Sequence, residues 1–562
     1  MKTRYIELMA KTLTAYPDGH IRAYFDEVKR EGLTEHGFPR LTANLGILIS
    51  HGIRQDLLPL FCDMMEFCCQ TIPTVKAAND FSVKEIIFCI LELEKHNILP
   101  AADTNRWRGY LSTICPETCY NKFAKDEGEI IFNWALFTAL SEYMRISSGI
   151  GGSEDFLETQ LATQLRQLDE NGMYRDALCH PPVMYDLGPR GLFSLLLHLG
   201  YRGKHYQKID DALKKAGLLT LDMQSVTGEI PFGGRSNQFL HNEAHLAIIF
   251  EYEANRYFRE GDLETAKRFK GRVHLALDNI ALWLGETPIS HIKNRFPVES
   301  KYGCEGYAYF DKYMITAASF LYAASLICND EIPADLSPDL SPAVLHTSPW
   351  FHKVFVKCGG YALEFDTDAD PHYDAAGLGR VHKSGAPSAL CLSTPCTATP
   401  SYTVDLPKTM PLSLAPGLLI NGSHVFATDG QKTPYRLLSL SKTDGTAEAT
   451  LACDFADLGT VTAAYTVDES GVMVKVERNA VGEVLYLLPA LEFDGKEQTK
   501  IIQTEHTLEI FYRGWVCRYT ADGTISPLKK PACNRNGHYK AFFAKGQKAL
   551  EIKLEMFRDG EK

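Results

Sequence analysis

The sequence predicts a multidomain α + β chain of two unlike halves: an N-terminal (α/α) toroid in residues 1–328 and a C-terminal antiparallel β-sandwich in residues 351–562. In the first half apolar residues recur at helical spacing, as in Leu157, Leu161 and Leu165. Beyond Trp350 short β-branched and aromatic runs alternate with Gly, Asp and Asn. A chain of 562 residues can bury a core in each half.

The spacing of apolar residues in the helical half predicts roughly ten to twelve amphipathic helices, and this number is too large for a simple bundle. Short connectors rich in Gly, Pro, Asp or Asn separate them, for example at 16–19, 149–152 and 228–231. Such helix pairs close into a toroid, either incomplete or a six-hairpin barrel. The proline-rich segment 329–350 has no periodicity and is predicted to be a linker.

Composition and charge exclude several classes of partner. A net charge of −12 disfavours binding to nucleic acid and to anionic membranes. The N-terminus lacks the apolar run of a signal peptide or a membrane span. Fifteen scattered cysteines without a CxxC pair are typical of buried thiols in a reducing compartment. We therefore expect a cytoplasmic protein, and assembly into a homo-oligomer stays open.

The densest group of polar residues lies at 228–243, where a Gly-rich turn leads into a helix. So many hydrogen-bonding groups at a helix start predict a binding or catalytic site, although simple capping by Ser236 and Asn237 is the alternative. The candidate residues are Arg235, Asn237, Gln238, His241, Asn242 and Glu243.

Two further connectors carry aromatic and charged residues of the kinds that bind sugars. Tyrosine rings pack on the C–H faces of sugars, and charged groups bind hydroxyls or carboxylates. Lys293 and Arg295 are candidates for holding a uronate carboxylate, the alternative being a solvated basic turn. The remaining candidates are Tyr174, Asp176, His180, Tyr185, Arg190, Tyr302, Glu305 and Tyr307. Since connectors on one side of a helical ring converge, we expect these groups to share a central cleft.

Three segments resemble the heparinase II/III-type polysaccharide lyases and related toroidal glycan-active enzymes. Phe132-Asn133-Trp134 is similar to the Asn-Trp segment of that family, and Asn171-Gly172-Met173-Tyr174 through Tyr185 is similar to its Asp-Gly-aromatic element, with Asn171 in place of Asp. Pro371-His372-Tyr373-Asp374 is similar to its His-x-Asp motif. The resemblance covers nearly the whole chain and implies a toroid joined to a β-sandwich.

That resemblance implies cleavage of acidic saccharides by β-elimination, which requires three roles. Arg235 and Asn242, with Asn237, are expected to neutralise the uronate carboxylate. His241 is expected to remove the C5 proton, since an ordinary histidine pKa of about 6.5 suits a base at neutral pH. Tyr185 or Tyr302 is expected to protonate the leaving oxygen. Because no signal peptide is recognised in the sequence, short imported oligosaccharides are the expected substrates, and these favour exo action.

Two other functions remain open. Gly234-Arg235-Ser236 is also similar to toroidal glycoside hydrolases, such as a β-glucuronidase, in which Glu243 with Glu305 or Asp176 would form the carboxyl pair. A non-catalytic glycan-binding protein is the second of these alternatives.

The start of the sandwich carries ligand types for one divalent ion, either zinc or calcium, in His372, Asp374 and His382. In the resembled lyases a metal lies near the His-x-Asp motif. The alternative is an acidic loop whose side chains cap turns. No organic cofactor is expected.

Overall fold

The computed structural model describes residues 1–176, 183–338 and 340–561. It confirms the predicted order, because fourteen described α-helices precede the first strand and all later strand pairs are antiparallel. None of these described helices is long and apolar enough to cross a bilayer. The helices are α1 Lys2–Leu13, α2 Asp18–Glu31, α3 Gly37–Ser50, α4 Leu58–Thr71, α5 Val83–Lys95, α6 Ala101–Ser112, α7 Pro116–Cys119, α8 Trp134–Ser147, α9 Glu154–Leu165, α10 Met184–His198, α11 Tyr206–Met223, α12 Asn242–Arg259, α13 Leu263–Trp283 and α14 Phe310–Ile327.

Six of these helices form a closed inner ring. In order around the ring, α3, α5, α8, α10, α12 and α14 each pack against the next, and α14 packs against α3. Outer helices cover them: α1 lies against α14, α4 against α3, α9 against α8 and α13 against α12. Every residue of α3 is buried, as expected for a helix covered on all sides. The toroid is therefore the closed, six-hairpin form.

The C-terminal half contains three antiparallel sheets. Their orders are β1-β2-β3-β4, β12-β13-β14-β17-β10-β9-β8-β7 and β15-β16-β11-β5-β6. The strands are β1 Ala343–His346, β2 Lys353–Cys358, β3 Tyr361–Asp366, β4 Gly377–Lys383, β5 Pro416–Ile420, β6 Ser423–Phe426, β7 Tyr435–Thr443, β8 Thr446–Asp454, β9 Gly459–Asp468, β10 Gly471–Ala480, β11 Glu483–Phe493, β12 Lys500–Gln503, β13 Thr507–Tyr512, β14 Trp515–Ala521, β15 Thr524–Cys533, β16 His538–Gly546 and β17 Ala549–Arg558.

The two larger sheets share one apolar core, and β9 alternates buried and half-buried residues as a sandwich strand does. The four-stranded sheet is different, because every residue of β2 and β3 is buried. Its β2 packs on β8 and β9, while Lys357 Nζ donates to the Leu221 carbonyl of the toroid at 3.2 Å. This small sheet is therefore a layer between the toroid and the sandwich.

The segment predicted to be a linker, 329–350, contains the first strand. Ala343–His346 pairs with β2 in register from Ala343↔Lys357 to His346↔Val354. Before it, the Asp335 amide donates to the Lys267 carbonyl of α13 at 3.1 Å. The short strand escaped prediction because prolines flank a four-residue run that is too short to show a period.

Buried ion pairs connect the toroid to the small sheet. Lys293 Nζ lies 2.6 Å from Glu243 Oε1 and 3.9 Å from Glu229 Oε2. From β4, Arg380 Nη2 lies 3.7 Å from Glu229 Oε2, and its Nη1 lies 3.1 Å from Glu364 Oε2. These side chains are at most 3% exposed. A network that is so fully excluded from solvent is costly to break, because removal of one charged side chain leaves its partner buried without a counter-charge.

We expect Lys293→Met to lower the free energy of unfolding by about 3–5 kcal/mol, because the buried Glu243 loses its paired cation. Glu229 loses one of its two cations and keeps Arg380. Lys267→Met is the matched control, since Lys267 pairs with Glu264 at the surface and that carboxylate is 84% exposed. The control should cost no more than about 1 kcal/mol. Chemical unfolding of the three proteins measures both values, and equal losses would contradict the structural role of Lys293.

Candidate active site

A cavity of about 430 Å³ lies at the N-terminal ends of the six inner helices. Much of its wall comes from the first two turns of these helices and from the connectors that precede them. The lining includes His36, Arg40, Phe81, Asn133, Trp134, Met184, Tyr185, His241, His245, Lys312, Tyr313, Thr316 and Phe320. Because helix N-termini carry partial positive charge and unpaired N–H groups, their convergence favours an anionic ligand.

Three hydroxyl groups form a hydrogen-bonded chain along one wall of the cavity. Tyr185 Oη lies 3.0 Å from Ser236 Oγ, which lies 2.8 Å from Tyr307 Oη. The guanidinium of Arg235 lies over the Tyr185 ring, 4.5 Å from its centroid. Such a chain next to a cation can pass or hold a proton at the surface of a bound molecule.

Ser236 is held in an unusual backbone conformation by buried groups. Its φ of 58° lies in the left-handed region, which costs energy for a residue other than glycine. Its amide donates to Glu305 Oε1 at 2.7 Å, and its carbonyl accepts from Asn242 Nδ2 at 3.1 Å. Arg535 of the sandwich holds Glu305 in turn, with Nη2 to Oε1 at 2.6 Å. The sandwich thereby helps to position a cavity hydroxyl.

Asp176 fixes the adjacent Arg235 and Asn133. Its Oδ2 accepts from Arg235 Nη2 at 2.6 Å, and its Oδ1 accepts from the amide of Asn133 at 2.9 Å and from Asn133 Nδ2 at 3.1 Å. Burial raises the pKa of this carboxyl above its ordinary value, while Asn133 and Arg235 partly offset that effect. Asp176 therefore orients the two neighbours that could meet an acidic ligand.

The cavity is cationic although the chain as a whole is acidic. Among the described lining residues the cations are Arg40, Lys122, Arg235 and Lys312, and the one carboxylate is Asp176. The net charge of the chain is −12. Solvent ions screen distant surface charges over about 8–10 Å, so these local groups affect the cavity more than the net charge of the chain does. Arg40 is itself paired with the buried Glu85, with Nη2 3.0 Å from Oε1.

His241 is the N-cap residue of α12 and lies in the cavity wall, 4% exposed. Its ring stacks on Phe239 with centroids 5.7 Å apart, and within the described part of the chain its Nδ1 has no hydrogen-bond partner. Burial, helped by the nearby His245 and Arg40, holds the pKa of His241 well below 6.5. The expected ordinary pKa is therefore corrected: His241 is neutral at physiological pH and is a weaker base than an exposed histidine.

The structure brings together five of the residues singled out from the sequence. His241, Tyr185, Arg235, Asp176 and Tyr307 all line the cavity. Glu305 and Asn242 lie behind it and bind the backbone of Ser236, so their place is supporting. Asn237 and Gln238 are buried in the same loop, where Asn237 Nδ2 donates to the Pro231 carbonyl and Gln238 Nε2 donates to Asn237 Oδ1. His180 lies outside the described residues.

Several charged candidates are instead committed to ion pairs away from the cavity. Glu243 and Lys293 bind one another at 2.6 Å. Arg295 Nη2 lies 2.7 Å from Glu286 Oε1, and Arg190 Nη2 lies 2.6 Å from Asp186 Oδ2. The expectation that Lys293 and Arg295 meet a uronate is corrected, because neither side chain lines the cavity and each is paired with a carboxylate elsewhere.

Two tyrosines also lie away from the cavity. The ring of Tyr302 stacks on Phe296 with centroids 3.6 Å apart, and its hydroxyl donates to the Gly537 carbonyl of the sandwich at 3.3 Å. Tyr174 is fully buried, and its hydroxyl donates to Gln164 Oε1 at 2.6 Å. Both tyrosines therefore have packing roles. Of the two tyrosines expected to be the acid, Tyr185 is the one that lines the cavity.

The predicted metal ligands do not converge. His372 Nδ1 lies 3.2 Å from the Thr399 carbonyl at the surface, while Asp374 Oδ2 accepts from the Gly234 amide at 2.7 Å. His382 is buried elsewhere, with Nδ1 2.6 Å from Ser225 Oγ. Because the three side chains face different partners, they do not fit one ion, and we assign no reaction step to a metal there.

Sequence reasoning missed several cavity residues because they are spread over the chain. Arg40, Lys312 and His245 lie in the first two turns of α3, α14 and α12. Asn133 belongs to the Phe132-Asn133-Trp134 segment, for which the sequence alone predicts no catalytic role. Their common signal is position, since every one of them begins an inner helix or lies within two turns of its start.

No protein-family model matches the chain, and no curated protein is similar to it in sequence. Among solved structures, it is similar to a mutant of the heparan sulfate lyase HepC from Pedobacter heparinus, with 10% identity over 94% of this chain and 76% of that one and a TM-score of 0.49. It is also similar to a heparinase III (9% identity, 94% and 77% coverage, TM-score 0.49). A third neighbour is the chondroitin AC lyase of Streptomyces coelicolor A3 (10% identity, 98% and 82% coverage, TM-score 0.48). Likeness at this level carries neither an activity nor a substrate over to this chain.

The buried cavity histidines predict a pH-dependent stability. Burial lowers the pKa of His245 to about 3, whereas the unfolded chain protonates this histidine below about pH 6.5. Between these values the unfolded state binds the extra proton, so stability falls as the pH decreases from about 6.5 toward 3, by about 1.4 kcal/mol per pH unit for this one group. His245→Gln should reduce the slope of unfolding free energy against pH by about 1.4 kcal/mol per pH unit, which corresponds to the uptake of one proton.

The measurement is the free energy of chemical unfolding at several pH values between about 4.5 and 7.5. His506→Gln is the control, because His506 is an exposed histidine of the sandwich, 54% accessible. It should keep the slope of the unsubstituted protein. A His245→Gln slope equal to that of the control would contradict the neutral, buried state of His245.

Proposed function

We propose that this protein is a lyase that cleaves uronic-acid-containing oligosaccharides by β-elimination in the cavity. The observation that carries this proposal is the combination of four cations and six helix N-termini with a chain of three hydroxyl groups and a neutral histidine in one pocket. Elimination requires an acidified C5 proton, a base to remove it and an acid for the leaving oxygen. Each of these demands has a candidate group in the cavity.

The uronate carboxylate would bind where the cations and helix N-termini meet. Arg235 is oriented by Asp176, and Asn133, bound to the same carboxylate, can donate a hydrogen bond to the ligand. Lys312 projects from the first turn of α14 into the same cavity. Donors that neutralise the carboxylate stabilise the negative charge that develops as the C5 proton leaves.

In the proposed reaction His241 takes the C5 proton, the C4–O4 bond breaks, and the electron pair of the C5–H bond forms a C4=C5 double bond. The oxygen of the leaving sugar receives a proton from Tyr185. The cavity supports this assignment because His241 is neutral and can accept a proton at physiological pH. Ser236 and Tyr307 form the hydrogen-bonded chain through which Tyr185 can regain its proton.

A glycoside hydrolase would require a pair of carboxyl groups, one on each side of the glycosidic bond. The described cavity lining contains one, Asp176, and the sequence of residues 177–182 contains neither Asp nor Glu. Glu243 is paired with Lys293, and Glu305 with Arg535. These contacts favour elimination over hydrolysis.

We also propose exo action on short substrates. The ring of inner helices surrounds the cavity, Phe320 and Thr316 of α14 lie in its wall, and its volume of about 430 Å³ is at the small end of ligand pockets. A pocket of this size suits the end of an oligosaccharide better than the middle of a polymer.

The cytoplasmic location stays a prediction. The described cysteines are free thiols, most of them buried.

Incubation with a panel of uronate-containing oligosaccharides tests the reaction class. Elimination creates a double bond conjugated with the carboxylate, which absorbs ultraviolet light, whereas hydrolysis gives new reducing ends without that absorbance. We expect the absorbance to rise with unsubstituted protein and His241→Ala to lower turnover by at least about 100-fold. New reducing ends without absorbance would point to hydrolysis, and binding without products to a glycan-binding protein.

Two tyrosine variants test the identity of the acid. Tyr185→Phe should reduce elimination by about 100-fold or more, because the leaving oxygen loses its proton donor. Tyr302→Phe is the matched control, since Tyr302 lies outside the cavity and its hydroxyl binds a backbone carbonyl. It should retain most of the turnover. If the two variants are equally active, Tyr185 is not the acid.

A further inference from the structure

Three side chains with metal-binding groups meet at the C-terminal ends of α3 and α5. His51 is the C-cap residue of α3, and His96 is the C-cap residue of α5. Glu92 lies one turn before His96 on α5. Within residues 1–176, 183–338 and 340–561, this is the one set of at least three His, Cys, Asp or Glu side chains whose ligand atoms lie within 4.8 Å of one another.

The distances from the Glu92 carboxylate to the two imidazoles are close to those around a small transition-metal ion. Glu92 Oε2 lies 3.2 Å from His96 Nε2 and 3.8 Å from His51 Nε2. Zinc bonds of about 2.0–2.2 Å at tetrahedral angles place ligand atoms roughly 3.4 Å apart. The imidazoles are 30% and 34% exposed, so small rotations can close the remaining difference.

The carboxylate of this group is held in place while the imidazoles remain accessible. Glu92 is 6% exposed and contacts the buried Tyr322. Lys95 Nζ donates to Glu92 at 3.0 and 3.3 Å. Lys95 is itself 64% exposed, so a divalent cation can displace its ammonium group into solvent.

We propose that His51, Glu92 and His96 bind one divalent transition-metal ion, with zinc as the representative, and that water completes its coordination. Two imidazoles and one carboxylate suit zinc, whereas calcium requires six to eight oxygen ligands. The ion would join two neighbouring helices of the inner ring at the end opposite the cavity. This site is independent of the proposed reaction, and no reaction step depends on it.

The test uses the full chain without a histidine tag, after treatment with a chelator and its removal. Calorimetric titration with zinc should give one ion per chain for the unsubstituted protein. His51→Ala and His96→Ala should each weaken binding by at least about 100-fold, more than the loss of a group that only orients a ligand. His20→Ala is the matched control, because His20 is another half-exposed histidine, 2.7 Å from a carboxylate of Asp311.

Thermal unfolding of the metal-free proteins verifies that the variants are folded. Zinc should raise the unfolding temperature of the unsubstituted protein and of His20→Ala, but not that of the two site variants. The proposal is overturned if the unsubstituted protein binds no zinc, or if His51→Ala and His96→Ala bind it as well as the control. Loss of binding in His372→Ala instead would also overturn it, because the ion would then lie at the connection between β3 and β4 of the small sheet.

Discussion

Closure of the inner helical ring is the constraint on which the site depends. Each inner helix is followed by a segment that returns along the outside of the ring, so the six inner helices run in the same direction. Their N-termini consequently meet at one end, where the cavity lies. Aligned dipoles and unpaired amide groups make that end electropositive before any side chain is considered. The cationic side chains strengthen a potential that the fold already creates.

The sandwich contributes to the cavity from behind. Arg535 holds Glu305, Glu305 accepts from the amide of Ser236, and Ser236 bonds the hydroxyls of Tyr185 and Tyr307. The strained φ of Ser236 persists because these buried contacts fix it from several sides. The two domains are therefore one functional unit, since a toroid without the sandwich would lose the support of its hydroxyl chain.

The cavity combines features that reduce stability, as functional sites commonly do. Buried histidines such as His241 and His245 are kept neutral at the expense of stability in acid, and Arg40 is buried with them. The ion pairs behind the cavity, such as Lys293–Glu243, compensate for the desolvation of individual charges without facing a ligand. Charged residues of one short segment can thus have different places: Arg235 lines the cavity, whereas Glu243 belongs to a buried ion pair.

The sequence by itself determined the order of the two domains, because hydrophobic periods of 3.6 and 2 are local properties. It also located the connector at 228–243, which supplies Arg235, Ser236 and His241 to the cavity. Only the tertiary structure decided which charges face the cavity, since ion-pair partners lie far apart in the chain: Lys293 and Glu243 are 50 residues apart, and Arg535 and Glu305 are 230 apart. The same holds for Arg40 and Lys312, which ring closure brings to one cavity.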